Sequence, residues 1–112
     1  PSRLTSLNDY AGCFNGYVTE LANIWLEKLD DDQRQEVEIF SCGPTPMLKA
    51  VSELANKYDL PCQVSLEEYM ACAVGGCAGC TVLIKTENGN AMKRVCVDGP
   101  VFEAKSIVQF QN

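Results

Sequence analysis

A chain of 112 residues with a 46% hydrophobic and a 21% charged fraction can build one compact domain or two very small units. Nine basic residues against fifteen acidic ones give a net charge of −6, the wrong sign for a nucleic-acid partner. No apolar run is long enough for a membrane span, no signal-peptide pattern is present, and histidine, the usual general base, is absent. A cytoplasmic setting is therefore expected, with no membrane and no nucleic acid among the partners. The sequence starts at Pro1 without an initiator Met, and the expectation is a piece of a longer protein.

In chain order, residues 3–6 are expected to form a short strand, and "NDYAGCFNG" at 8–16 a polar loop. From Val18 the period becomes helical, with Val18, Leu21, Ala22, Trp25 and Leu29 on one face. "DDDQ" at 30–33 ends that helix in a solvated turn, and "EVEIF" at 36–40 reads as a short buried strand. Thr45 is expected to cap the next helix, with Pro46 at its first position, where a missing N–H costs nothing. Met47, Val51, Leu54, Ala55 and Tyr58 would line its apolar face, and residues 60–66 supply another strand. The order β-α-β-α-β over residues 3–66 predicts a parallel α/β layer. After Ser65 the character changes to a small-residue loop, then "TVLIK" (81–85) and "KRVCV" (93–97) as a hairpin turning around Asn88-Gly89. "IVQF" at 107–110 is expected as a last strand. The predicted division is residues 1–65 and 66–112.

The seven cysteines are an odd number, so complete internal pairing is ruled out, and free thiols or metal ligands are the better reading. Three of them fall within nine positions, Cys72-x4-Cys77-x2-Cys80, and Cys96 follows after fifteen more residues. This is the spacing of plant-type [2Fe–2S] sites. A rhombic Fe2S2 core needs four thiolates, two per iron. A short loop can wrap it only where side chains stay out of the way and backbone N–H groups turn toward sulfur. Ala73, Gly75, Gly76, Ala78 and Gly79 meet that need. Cys96 is expected on the far arm of the hairpin. A zinc site competes, but zinc ribbons use two separated C-x2-C pairs and only Cys77 and Cys80 make one. A Cys77–Cys80 redox dithiol leaves Cys72 and Cys96 unexplained. Burial as a small hydrophobe suits Cys13 and Cys62 better than the clustered three.

"SLEEYMACAVGGCAGCTV" at 65–82 together with "VCVDGPVF" at 95–102 resembles the C-terminal region of the electron-transfer subunit of B-type dihydroorotate dehydrogenase. "EVEIFSCGPTPMLKAV" at 36–51 resembles the strand, C-G-P-x-P-M turn and helix of the wider ferredoxin-reductase superfamily. The resemblance implies an α/β fold: an incomplete parallel nucleotide-binding half-domain followed by a small β-hairpin [2Fe–2S] module. It implies Cys72, Cys77, Cys80 and Cys96 as cluster ligands and Cys42, Gly43 and Pro44 beside a nicotinamide ring. By spacing alone, Cys42-Gly43-Pro44 is a weak motif and reads as a helix-start turn without a ligand; the resemblance reverses that. The implied role is electron relay between NAD(H), FAD and the flavin of a catalytic, FMN-containing partner subunit that oxidises dihydroorotate in pyrimidine biosynthesis.

The chain departs from the family in extent. A full subunit carries an N-terminal FAD-binding β-barrel and a glycine-rich strand–helix unit, and no G-x-G-x-x-G is present here. Tight binding of FAD or NAD by this chain alone is not expected, nor is a complete enzyme. The remaining sheet is expected to pair with another copy or to lose order at its N-terminus. Three other functions stay open: a stand-alone ferredoxin-like carrier, a zinc-stabilised interaction module, and an electron-transfer subunit of another flavoenzyme such as a sulfite reductase or hydrogenase.

Overall fold

The computed structural model describes residues 3–66 and 81–110, with the backbone alone for Cys96 and Val97. The chain forms two compact units, Pro1–Val37 and Glu38–Asn112. The described residues are mixed α/β, with three small sheets.

In the first unit, β1 (Thr5–Ser6) pairs in parallel with β2 (Phe14–Asn15), a strand inside the expected loop. Helix α1 (Val18–Lys28) starts where its period predicts. Its buried residue is Leu26, whereas Val18 and Trp25 of the predicted face are 46% and 43% exposed. The period correctly marks a helix, but the two-residue strands beside it in the chain are too short to cover the stripe. "DDDQ" is a helix start instead of a turn. Asp30 accepts from the Gln33 N–H at 2.7 Å and Gln33 Oε1 accepts from the Asp30 N–H, a capping box that opens α2 (Asp31–Gln35). Arg34 then donates from Nε to the Leu26 carbonyl and from Nη2 to the Leu29 carbonyl, satisfying the end of α1.

In the second unit, β3 (Ile39–Cys42) runs parallel to β4 (Cys62–Ser65), with Cys42 opposite Ser65. They are joined through α3 (Thr45–Tyr58). The cap position is Pro44, not Thr45: Pro44 is extended, its carbonyl accepts from the Leu48 N–H, and Pro46 is the second helical residue. A missing donor in the first turn still costs nothing there. The buried face of α3 is Leu48, Val51, Ser52 and Ala55; Val51 and Ala55 match expectation, Met47 packs half-buried against the same core, and Leu48 was not expected there. Asp59 closes the helix in the left-handed region and meets Lys105 at 3.3 Å.

The hairpin consists of β5 (Thr81–Thr86) and β6 (Gly89–Arg94), in register from Thr81–Arg94 to Thr86–Gly89. Its turn is Glu87-Asn88, one residue earlier than expected. The far arm ends at Arg94, and α4 (Val95–Asp98) replaces the predicted strand end. Cys96 therefore lies just past the hairpin, not on it. Val95 is fully buried, and the Asp98 carboxylate accepts the Arg94 N–H at 2.8 Å, which turns the chain out of the ladder. An unpredicted strand, β7 (Val101–Glu103), pairs antiparallel with β4. At the expected final strand, Ile107 makes an isolated antiparallel bridge with Ile84 and Val108–Phe110 is a 3-10 turn; Ile107 and Phe110 are both buried. One core holds this unit together, joining Leu48, Val51 and Ala55 to Val64, Leu66, Val82, Ile84, Val95, Ile107 and Phe110.

Leu48 is wholly buried at the centre of that core. Leu48→Ala should destabilise the second unit by about 2–5 kcal/mol, the usual cost of a buried cavity, read as an earlier urea midpoint. Thiol reactivity provides a second check. Cys62 is buried on the core face of β4, and burial pushes its thiol up from the ordinary value, whereas Cys42 at the end of β3 is exposed. At mildly alkaline pH Cys62 stays protonated and shielded, so iodoacetamide should modify Cys42 well before Cys62 in the folded protein, as mapped by peptide mass spectrometry.

Candidate metal centre

Cys72, Cys77 and Cys80 lie outside the described residues, as do Gly75, Gly76 and Gly79, and Cys96 is placed by its backbone alone. The structure fixes how the chain enters and leaves the 67–80 segment. At its start, Ser65 is the register partner of Val101, and the Leu66 N–H donates to the Pro100 carbonyl at 2.9 Å. At its end, Thr81 is the register partner of Arg94. Cys80 immediately precedes Thr81 in the chain. Both ends are thus tied to the stretch 94–101, and Cys96 is the second residue of the helix in that stretch.

That stretch is itself held at several points. Val95 is anchored in the core, Asp98 Oδ2 accepts from the Arg94 N–H, and Phe102 packs over Gly99. A Cβ at Gly99 would overlap the Phe102 ring and crowd the Val95 carbonyl. The donor set suits an Fe2S2 group: four thiols, three in a run of small residues and one on the stretch to which that run is tied, with no histidine in the chain. Cys72, Cys77, Cys80 and Cys96 could hold it. Among the described residues, no three Cys, Asp or Glu side chains are grouped to hold a metal ion.

Cys42, Gly43 and Pro44 form the turn from β3 into α3. Gly43 has φ of +148°, a conformation that side chains rarely adopt, and a Cβ there would run into the Met47 methyl. Cys42 lines an open hollow of about 240 Å³ with Phe40, Ser41, Gln63, Ser65 and Val101. Gly43 and Pro44 shape the turn beside it. The hollow lies where the parallel strands β3 and β4 end, the place at which open α/β sheets receive ligands. Phe40, Gln63, Ser65 and Val101 were not expected here. Phe40 ends the run 36–40 expected as a buried strand, yet it is 67% exposed. Its alternation with Cys42 puts both on one sheet face, a signal present in the sequence once the strand's frame is known.

Residues 67–108 match the family model described as the iron–sulfur cluster binding domain of dihydroorotate dehydrogenase B. The chain is also similar to proteins named dihydroorotate dehydrogenase B (NAD(+)), electron transfer subunit. The one from Caldanaerobacter subterraneus subsp. tengcongensis is 50% identical over 74 residues, 65% of this chain and 30% of the relative. The one from Desulforamulus reducens is 39% identical over 95 residues, 85% of this chain and 34% of the relative. A homolog of that subunit from Aquifex aeolicus is 38% identical over 101 residues, 90% of this chain and 35% of the relative. Among solved structures, a chain of the NADH-dependent reduced ferredoxin-NADP oxidoreductase superposes with a TM-score of 0.67 at 29% identity, covering 88% of this chain and 33% of that one. The chain spans about a third of the length of the curated relatives it matches. Over the stretch they share, this chain is thus similar to electron transfer subunits of dihydroorotate dehydrogenase B, and residues 67–108 match the model of that enzyme's iron–sulfur cluster binding domain.

Proposed function

We propose that this chain is the cluster-bearing part of an electron relay between NAD(H) and FAD on one side and the flavin of a catalytic dihydroorotate dehydrogenase subunit on the other. The observation that carries this reading is the tethering of both ends of the 67–80 segment to the stretch that holds Cys96. When bound, a [2Fe–2S] cluster supplies a one-electron store. The residues of the chain do the rest. Cys72, Cys77, Cys80 and Cys96 donate thiolates, the small residues between them let backbone amides approach sulfur, and the buried Val95 fixes the fourth thiol's backbone. Binding and orientation are the protein's share of such chemistry.

The proposed division of roles falls at residue 65. Residues 1–65 act as the C-terminal part of a nicotinamide-binding α/β half-domain, with the Cys42-Gly43-Pro44 turn and its hollow on the nicotinamide side. Residues 66–112 form the cluster module. The glycine-rich phosphate cradle and the FAD barrel of such a subunit are not within these 112 residues. We place the relay in the cytoplasm, beside a soluble FMN-containing partner; among the described residues, no helix is long and apolar enough to cross a membrane. A second reading is favoured by the likeness to the ferredoxin-NADP oxidoreductase chain: the same module serving another flavoenzyme. Mixing the loaded chain with a catalytic dihydroorotate dehydrogenase subunit separates the two, since only the first reading expects the cluster to be reduced by dihydroorotate.

Purified anaerobically, the chain should contain iron and acid-labile sulfide and show the visible and electron paramagnetic resonance spectra of a [2Fe–2S] centre. Serine at Cys72, Cys77, Cys80 or Cys96 should bleach it or make it labile, whereas serine at Cys13 or Cys62 should not. One zinc with no sulfide would overturn the reading in favour of a zinc module. Titration calorimetry with FAD should show no tight binding, because no phosphate cradle is present in the sequence; sub-micromolar affinity would contradict this.

A further inference from the structure

We propose that Asp98 is a positioning residue for the metal centre, and that its carboxylate also holds down the centre's reduction potential. This rests on the cluster reading above. Asp98 ends the single turn of α4 that carries Cys96, and its Oδ2 reaches back to accept the Arg94 N–H at 2.8 Å. The bond closes the turn across Cys96 from both sides: Arg94 is two residues before it and Asp98 two residues after. Arg94 is also the residue that pairs with Thr81, where the 67–80 segment rejoins the ladder. One carboxylate therefore couples the backbone of the fourth thiol to the strand end that follows the third. Val95 anchors the same stretch inward, and Phe102 packs over Gly99 beyond it.

The bond is charge-assisted, so it is stronger than a neutral one of the same length. Its charge has a separate effect. One-electron reduction adds a negative charge to a centre already surrounded by thiolates, and a carboxylate this close in sequence opposes that addition. Asp98 is exposed, so solvent and salt weaken the opposition without removing it.

Two substitutions separate the roles. Asp98→Ala removes both acceptor and charge; Asp98→Asn keeps an oxygen that can accept from Arg94 and removes only the charge. Loaded chains are challenged with an iron chelator and, separately, titrated with dithionite under an inert atmosphere. Asp98→Ala should release iron roughly tenfold faster than the wild type, the scale of losing one such bond, and Asp98→Asn within roughly threefold of it. Both should have a higher midpoint potential than the wild type, and the difference should shrink as salt is added. A purely structural role would leave the Asp98→Asn potential unchanged. Equal potentials for wild type and Asp98→Asn, equal iron release for wild type and Asp98→Ala, or Asp98→Asn releasing iron as fast as Asp98→Ala would each overturn the proposal. A wild-type chain that takes up no iron and sulfide fails the cluster reading itself, whereas a loaded wild type with indistinguishable variants fails this inference alone.

Discussion

Two ladders converge on one stretch of chain. The β4–β7 pairing ends at Ser65–Val101 and the β5–β6 pairing ends at Thr81–Arg94, so the segment between residues 66 and 81 leaves from and returns to the same short run. Bringing distant points of a chain together costs entropy that grows slowly with loop length. Here that cost is met by backbone pairing and core burial, before any metal binds. A thiolate loop with fixed ends has less freedom to lose on closing around a cluster than one that hangs free. The buried Val95 and the Asp98–Arg94 bond extend this restraint to the backbone around Cys96.

The same constraint explains why the packing ignores the functional division. In the proposed division of roles, the parallel pair β3–β4 falls on the nicotinamide side and the hairpin on the cluster side. Yet Leu48, Val51 and Ala55 of α3 share one core with Val82, Ile84 and Val95. Through that core, the turn at Cys42–Pro44 and the stretch around Cys96 rest on common supports. Packed interiors transmit strain, so the spacing of this turn and this stretch is set by side-chain volumes in the core.

The candidate site is read from the sequence because it is written in covalent spacing. Cys72, Cys77 and Cys80 are related by short chain distances that tertiary structure cannot alter, and they lie outside the described residues. The helices over 18–28 and 45–58 are legible for a similar reason, as both carry a long period. Their faces are less so. Leu48 and Met47 are apolar neighbours that both reach the core, and only the partner surface decides which one is wholly buried. The strand expected over 93–97 ends at Arg94, and β7 is unexpected, because these elements are too short to carry a period. Residues 95–97 continue a β-type run until Asp98 bonds backward, and Pro100 stands just before the three-residue strand that follows. Phe40 looks like core by composition and is not, since the alternation of β3 turns it to the opposite face.

Strand β3 has a consequence for the protein in bulk solution. Within the three-stranded sheet it is an end strand, and on one side of it stands Phe40, 67% exposed, with Val101 of β7 on the same face at 53%. A sheet edge with an apolar flank is a template for any other extended segment, including a second copy of itself. Against this, the chain carries a net charge of −6, so approaching molecules repel one another. Colloidal stability thus depends on a long-range force opposing a short-range one. Ionic strength shortens the reach of the first and leaves the second untouched, which makes dilute salt the gentler medium for handling this chain.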